Sequence, residues 1–169
     1  MLIKGIEKME IKTYRTLLSE ERQCILVKEK SRIYENVKDG ILNEDRKIVE
    51  MLCNVYQLDR LPEEYVYLLC FNTKCKLLGV FELTHGTVCG SLISNREIFQ
   101  KALLINASMI IIAHNHPSGD ATPSQDDLKA YTSIERAGKL MQVPLLDSLI
   151  IGSGNFYSFK SEMLKTCAF

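Results

Sequence analysis

The stretch Met109-Ile110-Ile111-Ile112-Ala113-His114-Asn115-His116-Pro117 joins an apolar run of strand length to two histidines that lie one residue apart. On a strand, residues i and i+2 point to the same face of the sheet, so the two imidazoles can converge on one point. Imidazole nitrogens and carboxylate oxygens are both ligands for zinc. Asp127 can supply a third ligand after the loop from Pro117 to Pro123 turns the chain back. Three protein ligands with an open fourth position are typical of a catalytic zinc site, whereas structural zinc sites are closed.

The segment Ser124-Gln125-Asp126-Asp127 has a second interpretation that involves no metal. Ser-x-x-Asp after a proline is typical of the beginning of a helix, where the serine caps backbone N–H groups and acidic residues favour the first turn. The two interpretations are compatible, because a carboxylate on the first turn has a fixed direction and faces the loop before the helix. Both stay open on the sequence alone.

The apolar runs around this stretch predict the rest of a domain. The predicted strands are Tyr65–Phe71, Leu77–Leu83, Met109–Ala113, Leu145–Ile151 and Phe156–Phe159. One helix is predicted to begin at Ser94, which forms a capping-box pattern with Glu97, and a second to run from Ser124 to about Gln142. The order β-β-α-β-α-β-β predicts an α/β (α+β) fold, with a mixed β-sheet flanked by helices.

Residues 1–60 differ from residues 61–169, because they are rich in charge and contain only two predicted elements. These elements are a short strand at Cys24–Val27 and a helix from Asn43 to about Gln57, in which apolar residues recur at helical spacing. Since no Pro/Gly/Ser-rich linker separates the two parts, residues 1–60 are predicted to form an N-terminal extension packed on one domain of residues 61–169.

Composition narrows the class of protein. The 21 basic and 21 acidic residues balance, so the sequence does not show the basic excess that phosphate neutralisation needs. The six cysteines contain no Cys-x2-Cys pair, and the first 13 residues are interrupted by charges and do not form a secretory signal. No apolar stretch reaches the length of a membrane span. These features predict a cytoplasmic protein with free thiols and no membrane association.

The pattern His-x-His-x7-Ser-x2-Asp, from His114 to Asp127, resembles the JAMM motif of JAB/MPN-type metalloproteases. The longer string Ala113-His114-Asn115-His116-Pro117-Ser118-Gly119, with Pro123 and Ser124 after it, resembles the RadC branch of that family. The likeness covers roughly residues 61–162, and its further segments are Phe71-Asn72-Thr73-Lys74, Gly86-Thr87, Arg96-Glu97, Leu146-Asp147 and Ile150-Ile151-Gly152. The resemblance implies a JAB/MPN (cytidine-deaminase-like) domain.

The resemblance also implies a zinc ion held by His114, His116 and Asp127, with water in the fourth position. In the family's mechanism, Ser124 helps to bind the oxyanion of the tetrahedral intermediate. Asn115 occupies a position where many JAMM enzymes have Ser or Thr, which indicates different substrate contacts. Asp147 is predicted to be a structural or supporting partner rather than a ligand.

A glutamate near the start of the first core strand acts as the general base in JAMM enzymes. Glu64, immediately before the strand Tyr65–Phe71, matches that position. Glu63 and Glu82 are the alternatives, since a slip of one residue would select Glu63 and Glu82 lies in the second strand. His85 does not fit the motif and is predicted to be a strand-end or turn residue.

The function implied by the resemblance is a zinc-dependent hydrolysis of an amide or isopeptide bond in a peptide or protein substrate. A DNA-associated accessory protein is the second hypothesis, through the family's label as a repair factor, and a non-catalytic interaction scaffold is the third. RadC-like proteins usually carry a helical N-terminal domain suggestive of DNA binding, and residues 1–60 contain no matching Gly-containing hairpin.

Overall fold

The computed structural model describes residues 8–35, 37, 41–86 and 94–166. In these ranges the strands are β1 Lys8–Leu18, β2 Cys24–Glu35, β3 Glu64–Phe71, β4 Leu77–Gly86, β5 Met109–Asn115, β6 Leu145–Ile151, β7 Asn155–Ser158 and β8 Met163–Thr166. The helices are α1 Asp45–Tyr56, α2 Asn95–Leu104 and α3 Gln125–Met141, with a 3₁₀ turn at Leu58–Arg60.

The described strands form one sheet in the order β2-β1-β4-β3-β5-β6-β7-β8. The pairs β5–β6 and β1–β4 are parallel and the other pairs are antiparallel. The predicted mixed sheet flanked by helices is therefore confirmed. The carboxyl end of β5, where the two histidines lie, faces the beginning of α3 across the loop Pro117–Pro123.

Helices cover both faces of the sheet, and this explains the continuous apolar runs of its central strands. Along β3, Tyr67, Leu69 and Phe71 pack into the cluster that contains α1. The alternate residues Val66, Leu68 and Cys70 pack into the cluster that contains α2 and α3. When both faces of a strand are buried, nearly all of its side chains are apolar, so its sequence is a near-continuous apolar run without alternating polar residues.

The N-terminal part contains more strand than predicted. The short strand expected at Cys24–Val27 is only the beginning of β2, which continues to Glu35 and pairs with the unpredicted β1. Helix α1 agrees with its prediction within two residues and packs in the same cluster as β3. The division between residues 60 and 61 stays a prediction.

Two smaller corrections concern element ends. Ser94 immediately precedes α2 as predicted, but its side chain makes no capping hydrogen bond, so the capping box expected with Glu97 is wrong. Strand β8 was not predicted.

Cys24, Cys70 and Cys75 are free thiols, while Thr87, Cys89 and Cys167 lie outside the described residues. Across the described ranges, none of the helices has the length and apolar character needed to cross a bilayer.

Candidate metal centre

The two histidines converge at the carboxyl end of β5, as the sequence predicts. His114 is buried and is the second-to-last residue of β5. His116 is the first residue after the strand. The His116 N–H donates to the Ile151 carbonyl at 2.9 Å, which extends the pairing with β6 and keeps the His116 side chain on the same face as His114. The two Nε2 atoms are 3.1 Å apart.

The first turn of α3 brings a carboxylate to the imidazoles. Asp127 Oδ1 lies 3.1 Å from His114 Nε2, and Asp127 Oδ2 lies 3.5 Å from His116 Nε2. Burial acts to raise the pKa of Asp127, but hydrogen bonds with the two imidazoles and with Ser124 hold that pKa well below its usual range. The charged carboxylate is therefore the form that faces the histidines.

The same carboxylate closes a complete capping box, so the helix-start interpretation of this segment is confirmed, and it leaves Asp127 facing the imidazoles. The Asp127 N–H donates to Ser124 Oγ at 3.1 Å, and the Ser124 N–H donates to Asp127 Oδ2 at 2.7 Å. The Ser124 hydroxyl also donates to Asp127 Oδ2 at 2.5 Å. The helix start fixes the direction of Asp127 and also occupies the hydroxyl hydrogen of Ser124.

Glu64 is the glutamate that the structure brings to this group. It is the first residue of β3, with 23% of its side chain exposed, and its Oε1 lies 4.0 Å from His114 Nε2. Burial raises the pKa of Glu64, although the two histidines act to lower it. One ligand atom from each of Glu64, His114, His116 and Asp127 lies within 4.8 Å of the others.

The two alternative glutamates lie elsewhere. Glu82 pairs with Tyr67, whose side chain packs on the face of the sheet that carries α1. Glu82 Oε1 lies 2.9 Å from His85 Nδ1. His85 lies near the end of β4, as predicted for a strand-end residue. Glu63 contributes its backbone carbonyl to a hydrogen bond with the Asn115 side chain, and it does not belong to the group around the imidazoles.

The donor set fits a tetrahedral metal. Ligand atoms that lie 2.0–2.1 Å from a tetrahedral zinc are about 3.4 Å from one another. The distances of 3.1, 3.1 and 3.5 Å among His114 Nε2, His116 Nε2 and the Asp127 oxygens match that spacing. The Asp120 carbonyl can only accept, so His116 Nδ1, 2.8 Å away, carries a proton, and Nε2 is the ring nitrogen that is left to bind a metal once it gives up its own proton.

Comparison with known proteins agrees with the motif and the fold. A family model described as the RadC-like JAB domain matches residues 42–164. The chain belongs to the RadC-like JAB domain family. The resemblance that the sequence indicated is therefore confirmed, and the match begins before α1 and includes every described strand from β3 to β7.

Relatives named UPF0758 protein match much of this chain. One from Clostridium perfringens is 43% identical over 106 residues, which are 63% of this chain and 47% of the relative. One from Chlorobaculum parvum is 39% identical over 112 residues, covering 64% of this chain and 50% of the relative. One from Thermotoga maritima is 32% identical over 160 residues, covering 95% of this chain and 68% of the relative. The chain spans about half the length of the first two.

The sequence analysis missed the Asp120 carbonyl, and for Asn115 it expected substrate contacts rather than the buried backbone contacts that the structure shows. The Asp120 carbonyl orients His116, but a backbone carbonyl has no residue type that would reveal it. Asn115 bonds to the segment before β3, which a pattern confined to neighbouring residues does not indicate. Asp147, by contrast, is a structural partner as predicted, because its carboxylate accepts from the Ser158 hydroxyl at 2.6 Å and from the Lys160 N–H at 2.9 Å.

Proposed function

We propose that this chain is a zinc-dependent hydrolase that cleaves an amide or isopeptide bond in a peptide or protein. The observation that carries the proposal is the convergence of His114, His116 and Asp127 with the Glu64 carboxylate 4.0 Å from His114 Nε2. When bound, the metal supplies a Lewis acid that makes water more acidic and polarises the substrate carbonyl.

Glu64 is the general base and acid in this proposal. Its carboxylate takes a proton from the attacking water and returns that proton to the leaving nitrogen, so the nitrogen departs as a neutral amine. Burial acts to raise the pKa of Glu64, which is the direction that suits a group that both accepts and returns a proton. An open cleft of about 300 Å³, lined by Pro62, Glu63, Glu64, Gly86 and Pro117, gives the carboxylate access to a substrate.

Ser124 is the proposed donor to the oxyanion that forms when the substrate carbonyl is attacked. Its hydroxyl hydrogen is directed at Asp127 Oδ2, 2.5 Å away. The hydroxyl therefore has to turn toward the substrate during the reaction, while the backbone half of the capping box continues to hold Asp127 in place.

A cytoplasmic location belongs to the same proposal. Cys24, Cys70 and Cys75 are free thiols, which is the state expected in a reducing compartment.

The test compares Glu64→Gln with Glu82→Gln, a matched control on the opposite face of the sheet. Zinc-loaded proteins are incubated with a peptide library and with peptides joined through a lysine side-chain amide, and products are detected by mass spectrometry. We expect Glu64→Gln to keep its zinc and to lose about 10²- to 10⁴-fold in rate, while Glu82→Gln stays at the wild-type rate. Equal rates in Glu64→Gln and wild type would refute the assignment of the base.

A further inference from the structure

Asn115 is the last residue of β5 and lies between the two histidines in the sequence, but its side chain points to the other face of the sheet. Only 2% of the residue is exposed. A buried side-chain amide requires hydrogen-bond partners, because leaving it unsatisfied is costly. The partners of this amide identify what the residue does.

All three hydrogen bonds of the Asn115 side chain go to the backbone around Glu64. Asn115 Oδ1 accepts from the Tyr65 N–H at 2.8 Å. Asn115 Nδ2 donates to the Glu63 carbonyl at 3.0 Å and to the Leu61 carbonyl at 3.4 Å. The Glu63 carbonyl and the Tyr65 N–H belong to the residues immediately before and after Glu64, so one amide holds the backbone on both sides of that glutamate.

The backbone at Glu64 needs this support because the pairing of β3 with β5 ends before it. The last pair in that ladder is Val66 with His114, and on its other side Glu64 pairs with Gly86 of β4. Asn115 follows His114, so it lies one residue beyond the last pair of the ladder. There its side-chain amide bonds the β3 backbone in place of a backbone peptide group of β5. Pro62, just upstream, has no N–H to donate.

We propose that Asn115 is a positioning residue, whose side-chain amide holds the backbone of Glu64 so that the Glu64 carboxylate faces the metal ligands. This inference rests on the proposed function, since it assigns Asn115 to the general base of that reaction. The last two residues of β5 and the residue that follows them then serve one site from two faces. His114 and His116 bind the metal on one face, and Asn115 fixes the distance to the base from the other.

The test uses cobalt, because Co²⁺ binds the nitrogen and oxygen ligands that suit zinc and has visible absorption bands that respond to groups near the metal. Spectra are recorded for wild type, Glu64→Gln, Asn115→Ala and the double variant, each with its cobalt content measured. Asn72→Ala is the matched control, because the Asn72 side chain also accepts two backbone N–H bonds, from Lys74 and Lys76, at the opposite end of β3.

We expect about one cobalt per chain in every variant, with the Asn115→Ala bands shifted toward those of Glu64→Gln. The double variant should have the Glu64→Gln spectrum, because Asn115 acts through Glu64, and Asn72→Ala should keep the wild-type spectrum. Wild-type bands in Asn115→Ala, or an additional shift in the double variant, would overturn the inference about Asn115. A wild type that takes up no cobalt, or a Glu64→Gln protein with unchanged bands, would instead contradict the proposed function.

Asn115→Asp guards against a variant that fails to fold, because it keeps the volume and the acceptor for Tyr65 N–H but replaces the donor to the Glu63 carbonyl by a second acceptor. We expect the same spectral shift in Asn115→Asp as in Asn115→Ala.

Amide hydrogen exchange measures the hydrogen bond between the Tyr65 N–H and Asn115 directly. The Tyr65 N–H should exchange about fivefold to tenfold faster in Asn115→Ala, because one hydrogen bond is lost. An unchanged exchange rate at Tyr65 would contradict the proposed role of Asn115 in holding the backbone at Glu64.

Discussion

Replacing Gly152 by alanine places a methyl group against the loop that orients His116. A Cβ at Gly152 would lie 2.4 Å from the Gly119 carbonyl oxygen, 2.5 Å from Asn155 Oδ1 and 3.0 Å from the Ala121 nitrogen. Gly119 and Ala121 flank the residue whose carbonyl accepts the His116 Nδ1 proton. The substitution therefore acts on His116, a proposed metal ligand, without touching it.

The size of the effect follows from these distances. Ordinary Cβ contacts begin at 3.4 Å, so the Gly119 carbonyl has to move by about 1 Å. That carbonyl also accepts the Ser153 N–H at 2.9 Å, so the movement strains a bond that ties the loop to the end of β6. Overpacking of this kind costs about 1–3 kcal/mol of the free energy of unfolding, and each kcal/mol lowers Tm by about 2–4 °C at this chain length. Disturbing the partner of a ligating histidine lowers metal affinity by about tenfold or more.

Both quantities are measured on the same protein. Urea unfolding in the presence of a chelator gives the metal-free stability, and competition with a chromophoric chelator gives the zinc affinity. Ser153→Ala is the control, because it changes an exposed side chain in the same turn and keeps the backbone bond to Gly119. Stability and zinc affinity in Gly152→Ala equal to those of Ser153→Ala would refute this account of the loop.

Three further substitutions test the fold around the site. Ser124→Ala removes the side-chain cap that accepts the Asp127 N–H, and urea unfolding should show a loss of about 1 kcal/mol. Tyr56→Phe removes the 2.7 Å hydrogen bond to Thr13 Oγ1 that joins α1 to β1, with a similar loss of about 1 kcal/mol; no loss would contradict that contact. Burial raises the pKa of the Cys70 thiol from 9.0 to about 12, so above pH 9 the unfolded chain loses a proton that the folded protein keeps. The free energy of unfolding should therefore fall by about 2 kcal/mol by about pH 10.5, and Cys70→Ala should remove this part of the slope in urea titrations across that range.

The sequence predicted best those elements whose side chains are buried on both faces of the sheet. The apolar runs of β3, β5 and β6 are continuous, and each of these strands lies within one or two residues of its prediction. The beginning of α3 was equally clear, because the Ser124–Asp127 pattern forms a full capping box in the structure.

The N-terminal hairpin was missed because it has little buried surface. Most of β2 is exposed or half-exposed, and Ile33 in it is 61% exposed, so no alternation of apolar and polar residues marks the strand. In β1, Ile11 and Thr13 are the buried residues, and charged residues surround them. Pairing with β4 and packing of Tyr56 on Thr13 hold β1 in place, and both contacts are remote in sequence.

The choice among the three glutamates depended on strand register. The β3–β4 ladder pairs Val66 with Thr84 and then Tyr67 with Glu82, so one residue of β4 is skipped between the two pairs. Before this irregularity Phe81 pairs with Leu68 on the face that carries α2 and α3, so Glu82, the next residue, lies on the face that carries α1, while Glu64 faces the histidines. A sequence pattern does not locate such a bulge, because it arises from pairing between strands rather than from the residues of one strand.

Metal content tests the central claim most directly. The protein is purified without a metal-affinity column, and wild type, His116→Ala and Asp127→Ala are compared by mass spectrometry under conditions that preserve bound metal. The account predicts about one zinc per chain in the wild type and its loss in both variants. A wild type that holds no metal after zinc is added back, with stability equal to that of the untreated protein, would contradict it and leave two histidines beside a capped helix.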